Sequence, residues 1–134
     1  MSRTLNKEEE VLILYAMHIR GGKGPKGSII RFIISNKLMQ PHADDTEWRQ
    51  YETKVENDLA WARQSLKDKG QLSMPEHGIW QITELGRERL FRLARRVNGD
   101  EDLFSEDFFE RFTDTFLQRL KQLGAKLVEQ DNIK

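Results

Sequence analysis

The apolar positions of this 134-residue chain fall into blocks whose spacing changes from helical to alternating and back. Val11-Leu12-Ile13-Leu14-Tyr15-Ala16-Met17 is apolar almost all round, which predicts a buried, central helix. Asn6 as N-cap, with Glu9 three residues on, marks its start, and Gly21-Gly22 marks its end. A basic glycine loop, residues 21–28, leads into a second apolar helix through Ile29, Ile30, Phe32, Ile33 and Ile34. Residues 41–45 read as a loop, with Asp44 or Asp45 capping the next helix. From Trp48 the apolar positions run Tyr51, Val55, Leu59, Ala62 and Leu66, steps of three and four that describe one long helical stripe closed by Gly70. The period then shortens. Leu72 and Met74 alternate with polar neighbours, residues 75–78 form a turn, and Ile79-Trp80-Gln81-Ile82 is rich in β-formers, so a short hairpin is expected. Thr83 caps a further helix through Leu85, Leu90, Leu93, Ala94 and Val97, broken at Asn98-Gly99-Asp100. A last helix is expected from Ser105 to about Glu129.

Helix, helix, long helix, hairpin, helix is the order of a winged helix-turn-helix. The expected fold is therefore mainly α with a small β-hairpin, a winged helix-turn-helix plus a C-terminal helix. Residues 1–97 would form the winged-helix, DNA-binding domain, and residues 98–134 an acidic linker and a terminal helix. Such a fold does not itself fix a function.

Composition narrows the classes. There is no cysteine, which excludes disulfides, thiolate metal sites and cysteine nucleophiles. The N-terminus lacks a signal-peptide core, and no apolar run approaches the ~20 residues needed to span a bilayer, so a cytoplasmic protein with no membrane partner is expected. Net charge is zero, but it divides. Residues 1–97 carry 17 Lys/Arg against 13 Asp/Glu, a net of +4, and residues 98–134 carry 5 against 9, a net of −4.

The stretch Asn57-x3-Trp61-Ala62-x3-Leu66-Lys67-x2-Gly70-x-Leu72, followed by Gly78-x-Trp80-x-Ile82-Thr83-x2-Gly86, resembles the N-terminal domain of Mrr-type restriction proteins. That resemblance implies a winged helix that brings a separate nuclease domain to DNA. The detailed match covers about 30 residues, and no second domain is expected after it. The resemblance supports fold and DNA binding and gives no warrant for cleavage.

Candidate chemistry follows from these placements. On the long helix, with Val55, Leu59, Ala62 and Leu66 turned inward, Thr53, Asn57, Ala60 and Gln64 face out. Asn57 and Gln64 can bond adenine bidentately, and Arg63 and Lys67 flank the face at phosphate-reaching positions. His77 at the hairpin tip is placed to enter a groove. Ser28 with Lys26 and Lys23 could hold one DNA phosphate at the start of the second helix; the plainer reading is a cap, a turn and a cap. Trp61 and Trp80 are expected to be packing residues. Arg87, Arg89, Arg92, Arg95 and Arg96 could meet the DNA backbone or pair with the acidic residues 100–102. Glu52-Thr53-Lys54 mimics a nuclease carboxylate–lysine motif, but a helix would turn the two charges apart. The three histidines have no ligand spacing, so neither a metal nor a cofactor is expected. Phe108, Phe109, Phe112, Phe116, Leu120, Leu123 and Leu127 form a stripe that either folds back or pairs two chains, and a homodimer through the C-terminal helix is expected.

The resulting expectation is a non-enzymatic protein that binds double-stranded DNA, a regulator or specificity module related to restriction and defence. The alternative is a protein-interaction adaptor or inhibitor that does not touch DNA.

Overall fold

Leu12, Ile13, Leu14, Ala16 and Met17 are fully buried, so the apolar run near the N-terminus is the axis around which the other elements pack. In the computed structural model, which describes residues 6–40, 48–49, 52–99 and 111–133, this run lies in α1 (Asn6–Ile19). There follow β1 (Lys23–Pro25), α2 (Lys26–Ser35), β2 (Trp48–Arg49), β3 (Glu52–Thr53) and α3 (Lys54–Asp68). The wing is β4 (Leu72–Glu76) and β5 (Ile79–Ile82), and the chain closes with α4 (Glu84–Gly99) and α5 (Asp114–Ile133). Helices α2, α3 and α4 all pack on α1. The fold is mainly α with a small sheet and a hairpin wing, a winged helix-turn-helix with an added terminal helix, as the sequence pattern predicts.

Four local expectations need correction. Residues 23–25 form a strand where a loop was expected: β1 pairs antiparallel with β5, Lys23 opposite Gln81 and Pro25 opposite Ile79, giving the sheet order β1-β5-β4. A three-residue strand containing Gly and Pro leaves no alternation to read, yet it covers the backbone edge that β5 would otherwise expose. The second helix begins at Lys26, directly after Pro25, so Ser28 sits inside its first turn and is not the cap.

The long helix does not run from Trp48. β2 and β3 pair there, with Trp48 opposite Thr53, and α3 starts at Lys54. Thr53 and Glu56 form a complete capping box: the Thr53 side chain accepts from the Glu56 backbone and the Glu56 carboxylate accepts from the Thr53 backbone at 3.0 Å. Two orphan donors of the helix end are satisfied, which fixes the boundary more strongly than the apolar stripe could extend it. The caps considered at Asp44 and Asp45 lie outside the described residues.

The last helix starts at Asp114 rather than running through from Ser105. Thr113 accepts from the Phe116 backbone at 3.1 Å as its cap, and Phe112 forms an isolated bridge with Met39. Its stripe is not a free surface. Helix α5 lies along α4, and Phe116, Leu120 and Leu127 are buried within the chain. Phe116 meets Tyr15 of α1 edge-on at 5.2 Å, and Phe112 packs on Phe116 at 4.7 Å. At Gly124 the two helices come so close that a Cβ would run into the Ala94 carbonyl. Of the stripe on which the expected homodimer rested, Phe112, Phe116, Leu120 and Leu127 are thus buried within one chain, and Leu123 is half-buried. Phe108 and Phe109 lie outside the described residues.

Candidate nucleic-acid interface

Helix α3 packs on α1 and against β4 of the wing, and its inner face is held by ion pairs in its second turn and just past its C-terminus. In its second turn, Asp58 accepts from Arg111 at 3.3 Å and pairs with Lys54 at 2.8 Å. Arg111 is itself buried, donates to Glu9 at 3.3 Å and to the Gln40 carbonyl at 2.7 Å. Just past its C-terminus, Lys69 reaches Glu10 of α1 at 2.9 Å, and Arg89 of α4 joins the same carboxylate at 2.6 Å. Burial opposes the charge on Glu10, but the hydrogen bonds from Lys69 and Arg89 outweigh it and its pKa is lowered. Leu59, Ala62 and Leu66 fill the space between these anchors.

The opposite side is a ridge. At 100° per residue, Asn57, Trp61, Gln64 and Asp68 form one line along the outward face. Asn57 and Gln64 are half-buried, Gln64 donates to Asp68 at 2.9 Å, and Arg63 donates to Gln64 at 3.4 Å. Trp61 is 62% exposed, which corrects its expected packing role. Trp80 is buried as expected, and the Arg63 guanidinium sits 5.6 Å above its ring, spanning from α3 to the wing. Lys67 is exposed beside the ridge. Thr53 is at the end of this face, but its hydroxyl is taken up by the capping box.

The structure brings the remaining candidates together at one end. The Lys26 backbone N–H donates to the Gly78 carbonyl at 3.2 Å, so the first turn of α2 abuts the wing turn that carries exposed His77. That bond uses one of the helix-end donors considered for phosphate. Lys26 also lies near Glu56, whose pKa is lowered by hydrogen bonds from Thr53 and, more weakly, by the Lys26 charge. Lys23 is exposed on β1. Lys26, Ser28, His77 and the N-terminal end of α3 therefore border one region, with Asn57, Gln64, Arg63 and Lys67 further along the helix.

Other candidates are placed elsewhere. Arg95 is ion-paired with Asp131 of α5 at 3.0 Å and Arg89 with buried Glu10, so these two arginines of α4 are engaged within the fold. Arg92 and Arg96, with Lys7, rim a cavity of about 260 Å³ floored by Val11, Leu93 and Phe112. The acidic residues 100–102 lie outside the described residues. Glu52-Thr53-Lys54 falls at a strand-to-helix junction and not within a helix, and its lysine is paired with Asp58. Among the described residues no three histidines or carboxylates converge as metal ligands, and no helix is long and apolar enough to cross a membrane.

The spaced glycines of the sequence motif have physical reasons here. Gly70 (φ 74°) and Gly78 (φ 81°) hold left-handed conformations at the end of α3 and in the wing turn. Just after the wing, the Thr83 hydroxyl donates to the Gly70 carbonyl at 2.7 Å and accepts from the Gly86 backbone at 3.2 Å. Any side chain at Gly86 would strike the Gln71 carbonyl. Wing, α3 and α4 are locked at this one corner. No curated protein and no solved structure matches the chain. A family model does: that of the Mrr N-terminal domain matches residues 19–92, more than half of the chain and all of the segment from β1 to the wing. By that match, carried on a winged helix with these glycines at these turns, the chain belongs to the Mrr N-terminal domain family.

Proposed function

We propose that the protein binds double-stranded DNA through α3 and its wing, without cutting it, as a regulator or specificity module related to restriction systems. The observation that carries this reading is the α3 ridge. It offers two amide side chains on a rigidly anchored helix, beside the exposed Lys67 and with the wing and Lys26 at its flank. A helix so placed enters the major groove, where Asn57 and Gln64 meet adenine edges. Arg63, Lys67 and Lys26 then serve the phosphates, with Ser28 at the helix start and His77 at the wing tip beside the backbone. Thr53 shapes the interface by capping α3. Each chain supplies one reading head, and the cytoplasm is the compartment that suits such a role.

A second reading rests on a specific feature: Glu56 and Asp68 put carboxylates on the same side as Asn57 and Gln64. A protein partner with basic groups would suit them better than DNA. A mobility shift on random-sequence duplex separates the two. A retarded complex at low micromolar protein is expected; its absence at low salt supports the protein-partner reading.

A further inference from the structure

Trp61 is the most exposed of the large apolar residues among those described, and it stands in the centre of the α3 ridge. Ile19 and Ile34 are exposed near helix ends, and Leu85 lies against Gly70. Trp61 is different because its neighbours along the ridge, Asn57 and Gln64, are the two side chains suited to base edges. Most of the indole's area faces water there, so burial gives little reason for it. It supplies an apolar contact in the middle of a polar, cation-flanked surface.

We propose that Trp61 is a specificity-determining residue that recognises the C5-methyl group of thymine, between the base contacts of Asn57 and Gln64. The inference rests on the DNA-binding reading of α3 and deepens it. The major groove presents hydrogen-bonding atoms at every base pair and one apolar group, the thymine methyl. Asn57 and Trp61 are about 6 Å apart along the helix axis, and Trp61 and Gln64 about 4.5 Å, at the usual rise of an α-helix. Base pairs rise about 3.4 Å. The three side chains therefore span about three base-pair steps, and the indole falls one to two pairs from each amide. An adenine–thymine-rich site is the consequence, with thymine read by contact and adenine by hydrogen bonds. Arg63 over Trp80 and exposed Lys67 hold the flanking phosphates close enough for an apolar contact to form.

The test uses duplexes that the full chain selects from a random pool. Each thymine in a selected duplex is replaced in turn by deoxyuridine, which keeps the pairing and removes only the methyl. Affinity is read by fluorescence anisotropy. Wild type should lose about fourfold at one or two positions, the value of one buried methyl group. Trp61→Ala should bind the thymine duplex more weakly and show no difference between the two bases, and Trp61→Phe should keep part of it. Equal affinity of wild type for thymine and deoxyuridine at every position overturns the role of Trp61 and leaves DNA binding intact. Failure to recover any bound duplex overturns the DNA reading itself, and this inference with it.

Discussion

Arg111 is as buried as the core leucines, and it joins two helices and the segment after α2. Its guanidinium donates to Glu9 on α1, Asp58 on α3 and the carbonyl of Gln40, and its backbone N–H donates to Glu8 at 2.7 Å. Removing one partner of such a cluster strands charge in the core. Glu9 already carries part of that strain. Burial pushes its carboxyl from the ordinary 4.5 up to about 7, against the pull of Arg111, and its Oε1 has no hydrogen-bond partner among the described residues. The folded chain thus keeps a proton that the unfolded chain loses near pH 4.5. Stability from this group is greatest below pH 4.5 and declines as pH rises towards about 7. Glu10, with a lowered pKa, acts in the opposite sense: its contribution is lost as pH falls below 4.5. Glu9→Gln cannot titrate. Urea unfolding should show this variant gaining roughly 3 kcal/mol relative to wild type between pH 4.5 and pH 7.5. An equal difference at both pH values would place the titration elsewhere.

At the scale of elements, the decisive signals were short and polar. The wing, α4 and the central helix could be read from periodicity because each has several apolar positions in register with its own geometry. Helix α3 was placed correctly from Val55 onward for the same reason, with Leu59, Ala62 and Leu66 buried. Its start was misread because Trp48 and Tyr51 happen to continue the stripe, whereas Thr53-x2-Glu56 is a capping box that ends it. Of the candidate contacts, Asn57, Gln64, Arg63 and Lys67 fall on or beside the ridge as helical phase predicts. Trp61 reads as a packing residue because aromatic residues usually lie inside, although its phase sets it beside Asn57 and Gln64. The strand β1 had no legible signal; its identity depends on β5 lying beside it. Thr53→Ala should remove the hydroxyl's bonds with Glu56 while the backbone N–H of residue 53 still reaches the carboxylate, and cost about 1 kcal/mol of stability, followed by thermal unfolding in circular dichroism. Thr53→Ser should restore most of it. No change in either variant would mean that another contact sets the start of α3.

For the whole molecule, the terminal helix changes the picture most. Its stripe could be read from the sequence, but its destination could not, because folding back and pairing two chains bury the same residues. What decides it is fit: Tyr15 offers an edge to Phe116, Gly124 admits the Ala94 backbone, and Arg95 reaches Asp131. Helix α5 therefore completes the core around α1. Phe116→Ala should cost about 3–5 kcal/mol, as for a fully buried aromatic ring, and light scattering should give a monomer before and after the change. A wild-type dimer that the substitution converts to a stable monomer would restore the interface role.

The face opposite that core, α3 with the wing and the start of α2 beside it, is the surface we propose to dock on duplex DNA. The most direct test of that docking is the salt dependence of duplex binding by wild type and by an Arg63→Ala, Lys67→Ala double variant. Phosphate neutralisation releases counterions, and log affinity falls against log salt by about 0.9 for each phosphate contacted. Lys23, Lys26, Arg63 and Lys67 together give an expected slope of about −3 to −4 for wild type. The double variant should bind more weakly on all sequences and flatten that slope by about one to two. Identical slopes and affinities for the two proteins, or no duplex binding at low salt, would contradict the account.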